Sequence, residues 1–244
     1  MRALRKLSDL KGYRFQAKND EMGRLKQVYF DDQLWKVRYL IVQTGSWLLG
    51  KEVLLVPAVI TGIDDNSKVI KVDLSRKQIK NAPSVDSEQP VSEHYQQQYY
   101  SYYEWEPYWI TDPFFQATPV SPPLFIQPET PTEPDNPHLR SSDEVSGYRL
   151  DTPSGSIGHV ADIILDDQEW MVRYLEIDTR NWLPGKHVLV SPAWVQKIDW
   201  VDQQVQVELS RELVLSAPEY DSSKHISRDY QLALFKHYGK DFLD

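Results

Sequence analysis

Apolar and polar residues alternate along much of the chain in short runs, and polar turns break the runs. Gly12-Tyr13-Arg14-Phe15 reads as a short strand and Asp20-Glu21-Met22-Gly23 as a turn. Arg24 to Phe30 then alternates, with Leu25, Val28 and Phe30 apolar. Asp31-Asp32-Gln33 is short and polar between two strand-like runs, which predicts a hairpin connection. From Trp35 to Val42 the chain is aromatic and β-branched. Trp35, Val37, Tyr39 and Ile41 fall on one face, and Leu40 and Val42 join the other after Lys36 and Arg38. A strand that becomes apolar on both faces predicts a closed or tightly curled sheet. A Gly-bounded loop from Gly45 to Gly50 follows, then a strand from Glu52 to Val56 that Pro57 ends. Val59 to Ile63 and Val69 to Leu74 form a further hairpin around Asp64-Asp65-Asn66-Ser67. About six short strands at this spacing predict a small all-β barrel.

The same pattern returns farther along the chain. Asp31-Asp32-Gln33-Leu34-Trp35-Lys36-Val37-Arg38-Tyr39-Leu40 is matched by Asp166-Asp167-Gln168-Glu169-Trp170-Met171-Val172-Arg173-Tyr174-Leu175. The register holds without a gap from Leu4-Arg5 and Leu139-Arg140 onward, with roughly a third of the positions identical. Gly23 meets Gly158, Trp47-Leu48 meets Trp182-Leu183, and Pro57-Ala58 meets Pro192-Ala193. Leu74-Ser75-Arg76 meets Leu209-Ser210-Arg211. A period this long is domain-sized, so the chain reads as two copies of one small domain.

After each predicted barrel a short helical turn opens at Ser75 or Ser210, and Ala82-Pro83 or Ala217-Pro218 stops it. A better helix follows in the second copy, where Ile226, Tyr230, Leu234 and Tyr238 recur every fourth residue. The first copy has Tyr95, Tyr99, Tyr100 and Tyr103 in the matching segment. Packing on the barrel is preferred to cofactor stacking for these tyrosines. The predicted domains are 1–106, a linker at 107–138, and 139–244. Nine of the 16 prolines fall between 107 and 141. Trp109, Phe114, Phe115 and Phe125 make the first part of that linker too apolar for a freely solvated tether.

The repeated signature runs from Leu-Arg and Gly-Tyr through Asp-Asp-x-x-Trp-x-Val-Arg-Tyr-Leu and Gly-Lys-x-Val-Leu to Leu-Ser-Arg and Ala-Pro. It resembles the PRC-barrel family. That family includes the cytoplasmic domain of the photosynthetic reaction centre H subunit and the C-terminal domain of a ribosome maturation factor. The resemblance implies two tandem, mainly β, six-stranded barrels, each with a short C-terminal helix, that work by binding other proteins. It carries over neither relative's specific role and no functional residue. No stretch of this sequence is expected to form the membrane helix of the H subunit, and its first residues are read as part of the barrel where the ribosome factor has a separate domain.

Charge divides unevenly over this frame. The net charge of −9 disfavours nucleic acid. Residues 1–86 carry 16 Lys and Arg against 10 Asp and Glu, whereas 142–244 carry 10 against 18. Cysteine is absent, which excludes disulfides and thiolate metal sites. A basic start without an apolar run behind it, and no stretch near the ~20 apolar residues of a membrane span, predict a cytoplasmic protein without stable membrane insertion.

Candidate chemistry is sparse. Asp31-Asp32 and Asp166-Asp167 are carboxylate pairs, but their place in hairpins favours a structural turn. Arg38 and Arg173 are expected in ion pairs with neighbouring elements. The six histidines share no equivalent positions in the two copies, so no metal site is expected. Trp47, Leu48, Trp182 and Leu183 are the candidate protein-binding residues. Trp35, Tyr39, Trp170 and Tyr174 are the expected core, and Trp35→Ala is expected to cost about 3–5 kcal/mol. The leading reading is a non-enzymatic adaptor with no cofactor, an unidentified protein partner and scope for homo-oligomers. A ligand-binding cleft between the barrels is second, and a ribosome- or RNA-associated factor third. The copies are expected to pack about a twofold axis, with the linker and terminal helices between them.

Overall fold

The main hairpin of each half is set by one carboxylate. Asp31 Oδ1 accepts hydrogen bonds from the backbone N–H groups of Gln33 (2.9 Å) and Leu34 (3.0 Å). Asp166 Oδ1 does the same for Gln168 (2.9 Å) and Glu169 (3.1 Å). An aspartate at this position satisfies turn amides that no strand can reach. The turn then ends on a tryptophan in the left-handed region, Trp35 at φ 56° and Trp170 at φ 54°. These two residues therefore close the turns rather than open the strands, contrary to the alternation in the sequence.

The computed structural model describes residues 4–17, 20–83, 93–111, 138–179 and 186–242. The first half begins with β1 (Leu4–Lys6) and α1 (Leu7–Leu10). Its sheet strands are β2 (Arg14–Ala17), β3 (Asp20–Asp31), β4 (Lys36–Thr44), β5 (Glu52–Leu55), β6 (Ile60–Asp64) and β7 (Val69–Val72). Three helices follow, α2 (Arg76–Asn81), α3 (Glu93–Tyr103) and α4 (Tyr108–Thr111). In the second half β8 (Leu139–Ser141) and α5 (Ser142–Val145) precede β9 (Arg149–Thr152), β10 (Gly155–Asp166), β11 (Met171–Asp178) and β12 (His187–Val190). The chain ends with β13 (Val195–Asp199), β14 (Gln204–Val207), α6 (Arg211–Leu215) and α7 (Arg228–His237).

Within each half the strands pair in the same order, β6-β7-β2-β3-β4-β5 and β13-β14-β9-β10-β11-β12. The β2–β7 and β9–β14 pairs are parallel, and the others antiparallel. The ring does not close. Among the described residues β5 pairs only with β4, and β6 only with β7, so the sheet is open and mixed rather than a closed barrel. The reason lies in the corner after β5. Pro57–Val59 makes a 3-10 turn instead of continuing the strand. Helix α3 then covers β5, where the Tyr99 hydroxyl donates to the Leu54 carbonyl. In the second half Trp194, in the matching turn, packs on Phe235 and Tyr238 at the end of α7. In each half a helix therefore packs beside the open corner. The expected turn at Asp20–Gly23 is also absent, since β3 runs through it.

Helices dock through one repeated contact. The Tyr39 hydroxyl donates to Gln96 Oε1 on α3 (2.9 Å), and the Tyr174 hydroxyl donates to Gln231 Oε1 on α7 (3.0 Å). Burial pushes both phenols above their usual pKa range. Each helix thus faces its own half, which corrects the expectation that the terminal helices fill the space between the halves. Ser75 caps α2 in a capping box with Gln78, and Ser227 caps α7 through Tyr230. Of the apolar linker residues Trp109 is described, against Tyr100 at 5.3 Å. Phe114, Phe115 and Phe125 lie outside the described residues.

Gly158 and Gly23 explain themselves by closeness. A Cβ at Gly158 would lie against the Asp178 carbonyl, and one at Gly23 against that of Gln43, both far inside van der Waals contact. Gly158→Ala should therefore destabilise the protein by about 1–3 kcal/mol in urea denaturation. Trp170→Ala should cost about 3–5 kcal/mol, since Trp170 is buried. Trp35 is only half-buried, stacked on Phe30 at 5.5 Å, so Trp35→Ala should cost less than Trp170→Ala in the same assay.

Candidate functional site at the seam between the halves

The Leu-Arg that opens each half crosses to the other half. β1 pairs with β10, Leu4 opposite Asp166 and Lys6 opposite Ile164. β8 pairs with β3, Leu139 opposite Asp31 and Ser141 opposite Tyr29. Between these exchanged strands Lys36 pairs with Met171. The amide of Val37 donates to the Trp170 carbonyl and that of Val172 to the Trp35 carbonyl, each at 2.7 Å. Sequence reasoning missed the exchange, although the repeated Leu-Arg was its signal.

The second aspartate of each hairpin receives the arriving arginine. Arg5 Nε donates to Asp167 Oδ2 at 2.5 Å, and Arg140 Nε to Asp32 Oδ2 at 2.9 Å. Asp32 Oδ1 also lies 2.9 Å from His138 Nδ1. Arg5 reaches on to Asp65 at 2.5 Å. One repeat later the place of Asp65 is taken by Trp200, and the Arg140 guanidinium carbon lies 3.7 Å over its ring. Burial works against the Arg5 charge, but Asp167 and Asp65 outweigh it and raise the pKa.

The first aspartate also anchors the central strand. Arg38 Nη2 lies 3.3 Å from Asp31 Oδ2, and Arg173 Nη2 lies 3.3 Å from Asp166 Oδ2. Burial would raise the Asp166 carboxyl, but the Gln168 and Glu169 amides and Arg173 together hold it below the usual carboxylate range. All four repeated carboxylates are therefore engaged in turns or ion pairs.

On one side of the seam the exchange is ionic. Lys6 Nζ sits 2.8 Å from Glu176 Oε2 and 3.6 Å from Asp162 Oδ2. His187 Nδ1 lies 2.6 Å from Glu176 Oε1, and both His187 Nε2 (3.9 Å) and His159 Nε2 (4.0 Å) approach Asp178 Oδ2. The Glu176 side chain is 2% exposed. Burial opposes the Lys6 charge, and Glu176 followed by Asp162 more than compensates. At the equivalent positions of the other half Lys6, Asp162 and Glu176 are replaced by Ser141, Gln27 and Ile41, and the Ser141 hydroxyl donates to Gln27 Oε1. The second-half cluster was not anticipated. Its one signal was Glu176 inside the apolar run Leu175 to Ile177. Among the described residues no group of three or more His, Cys, Asp or Glu is placed to hold a metal ion.

Of the four candidate binding residues, Trp47 and Leu48 are half-buried against the core, and Trp182 and Leu183 lie outside the described residues. Trp47 Nε1 donates to the Met22 carbonyl at 2.7 Å, and the Arg76 guanidinium lies 5.1 Å from its ring centre. The residue presented outward is instead the next one. Leu49 is 88% exposed and left-handed at φ 57°. Tyr39 and Tyr174 are buried as expected. Between the halves a cleft of about 660 Å³ lies along β6, with Arg5 and the Asp167–Trp170 turn as its other wall.

This is a mainly β architecture of two like-ordered half-sheets joined by exchanged strands, and among the described residues no helix is long and apolar enough to cross a membrane. Residues 151–214, from β9 to α6, match the family model of the PRC-barrel domain. No curated protein matches the chain.

Two outcomes follow from the seam. Lys6→Met should cost about 2–3 kcal/mol in denaturant melts because it removes the lysine from buried Glu176 and leaves only His187 beside it, and adding Glu176→Gln should recover part of that loss. Lys6 has a raised pKa, so its contribution is complete below the unfolded lysine pKa and disappears only as pH rises through the folded one. Asp166 behaves oppositely. Its contribution is complete above the unfolded aspartate pKa and is lost as pH falls through the lower folded value. The stability gap between wild type and Asp166→Asn should therefore shrink below about pH 4.

Proposed function

We propose that the chain is a non-enzymatic interaction module of two PRC-type copies whose ligands are other proteins. The observation that carries this reading is Leu49. A loop braced by the Trp47–Met22 hydrogen bond holds this apolar side chain almost fully in solvent. Trp47 acts as the brace and Leu49 as the contact. An aliphatic side chain held out on an ordered loop costs little further entropy when a partner covers it. The repeated Asp, Arg and Tyr residues support the same reading, because each is engaged in a turn, an ion pair across the seam or helix docking. Several basic residues of the first half are likewise paired, Lys26 with Glu52 and Arg76 with Asp20, which disfavours the nucleic-acid alternative.

Affinity capture from the source cell tests the proposal. Leu49→Asp should leave thermal stability unchanged and lose a protein that wild type retains. Retention of the same protein by both would remove Leu49 from the interface. If wild type retains no protein while native mass spectrometry shows a copurifying small molecule, the cleft between the halves is a ligand site instead.

A further inference from the structure

The two outer edges of the sheet are not equivalent. β13 carries Lys197, 62% exposed on its side chain and paired to Asp199 at 2.7 Å. A lysine on an edge strand is a common guard against pairing with another chain. β6, at the opposite end, reads Ile60-Thr61-Gly62-Ile63-Asp64, with no charge before its last residue and Thr61 exposed. Among the described residues its one strand partner is β7. An edge strand turns alternate N–H and C=O groups away from its single partner.

The cleft between the halves lies along this strand. Ile60, Thr61, Gly62 and Ile63 all line it. β6 carries a bulge at Thr61, since Ile60 pairs with Val72 and Gly62 with Lys71, and the cleft is lined continuously across that bulge from Ile60 to Ile63. Across from β6 stand Arg5, Asp167 and Glu169; Arg5 pairs with Asp167 and Asp65, and Glu169 pairs with Arg173. β6 itself runs on into Asp64 and Asp65. Asp64, Asp65, Asp167 and Glu169 against Arg5 and Arg173 leave the surroundings net acidic, and the second half as a whole is acidic too.

We infer that β6 accepts an extended, basic polypeptide segment from a protein partner, which adds as a further strand in the cleft between the halves. Main-chain hydrogen bonds would supply affinity and the acidic wall would select the sign of charge. The chain's own linker fits poorly. Residues 107–137 contain no Lys or Arg, and their prolines remove the N–H groups a ladder needs. The inference rests on the reading of the protein as an interaction module, and it adds a surface separate from Leu49.

The test uses the full chain and two synthetic peptides of about eight residues that alternate lysine with valine and threonine. One peptide is unmodified. The other has the same charge but is N-methylated at every second residue, which abolishes ladder hydrogen bonds. Binding is read by calorimetry and by amide hydrogen exchange of β6. The unmodified peptide should bind and slow exchange in β6. N-methylation should weaken binding at least about tenfold, and Thr61→Lys, which adds an edge charge, should do the same. Thr61→Glu, similar in size and opposite in sign, controls for misfolding and should retain binding. Equal affinity for both peptides, unchanged binding by Thr61→Lys, protection outside β6, or no binding at all would overturn the inference. Capture of a partner through Leu49 would survive each of those failures, so the broader proposal is judged separately. If Thr61→Lys instead changes the oligomeric state seen by light scattering, the edge pairs with a second copy and the inference is also overturned.

Discussion

Two arginines cross from one half of the chain to the other and end on an aspartate of the opposite hairpin. Arg5 on Asp167 and Arg140 on Asp32 pin the strands that carry them, and much of the architecture depends on that exchange. Each of these strands is only three residues long, at the short end of the usual range. The charge-assisted hydrogen bond fixes its register. In turn the hairpin must present its second carboxylate outward, so its first carboxylate cradles the turn amides and meets Arg38 or Arg173. The tryptophan that closes the turn adopts a left-handed backbone and directs its carbonyl to the other half. The Asp-Asp-x-x-Trp pattern thus does one thing at each position, and all of them serve the seam.

The exchange is reciprocal in backbone but not in chemistry. On the side of β1 a lysine enters a pocket of buried carboxylates, and on the side of β8 a serine meets a glutamine. Transposing the strands would bury Lys6 near Gln27 and Ile41 without a carboxylate, and would leave Glu176 facing Ser141. Burying unpaired charge costs far more than losing a neutral hydrogen bond. This asymmetry disfavours a seam made from two first halves or two second halves, and it keeps the two different halves together. The opposite charge balance of the halves acts in the same direction at longer range.

The same constraint shapes the outer surfaces. With the centre of the sheet held by exchanged strands, β6 and β13 stand at the two far ends of its strand order among the described residues. The ring stays open because Pro57 or Pro192 starts a 3-10 turn at the corner. In each half a helix docked by a Tyr–Gln hydrogen bond packs over that side. Loop 45–50 is anchored by the Trp47 indole, so it projects Leu49 while Trp47 and Leu48 turn inward.

Local pattern by itself determined most of the strands, the Asp31 and Asp166 turns and the caps at Ser75 and Ser210, because each depends on residues close in sequence. The fixed spacing between the two signatures showed that the halves are alike. Tertiary structure alone decided three other things. Gly23 reads as a turn glycine, but it lies within β3 because another strand's carbonyl passes where a Cβ would sit. Trp35 and Trp170 continue an alternating apolar run in sequence, yet partnership with the opposite half places them in the turn. Lys6 reads as one more basic residue near the start of the chain. Its role appears only when β1 crosses to β10 and delivers it to Glu176, a partner so distant in sequence that no local pattern connects the two.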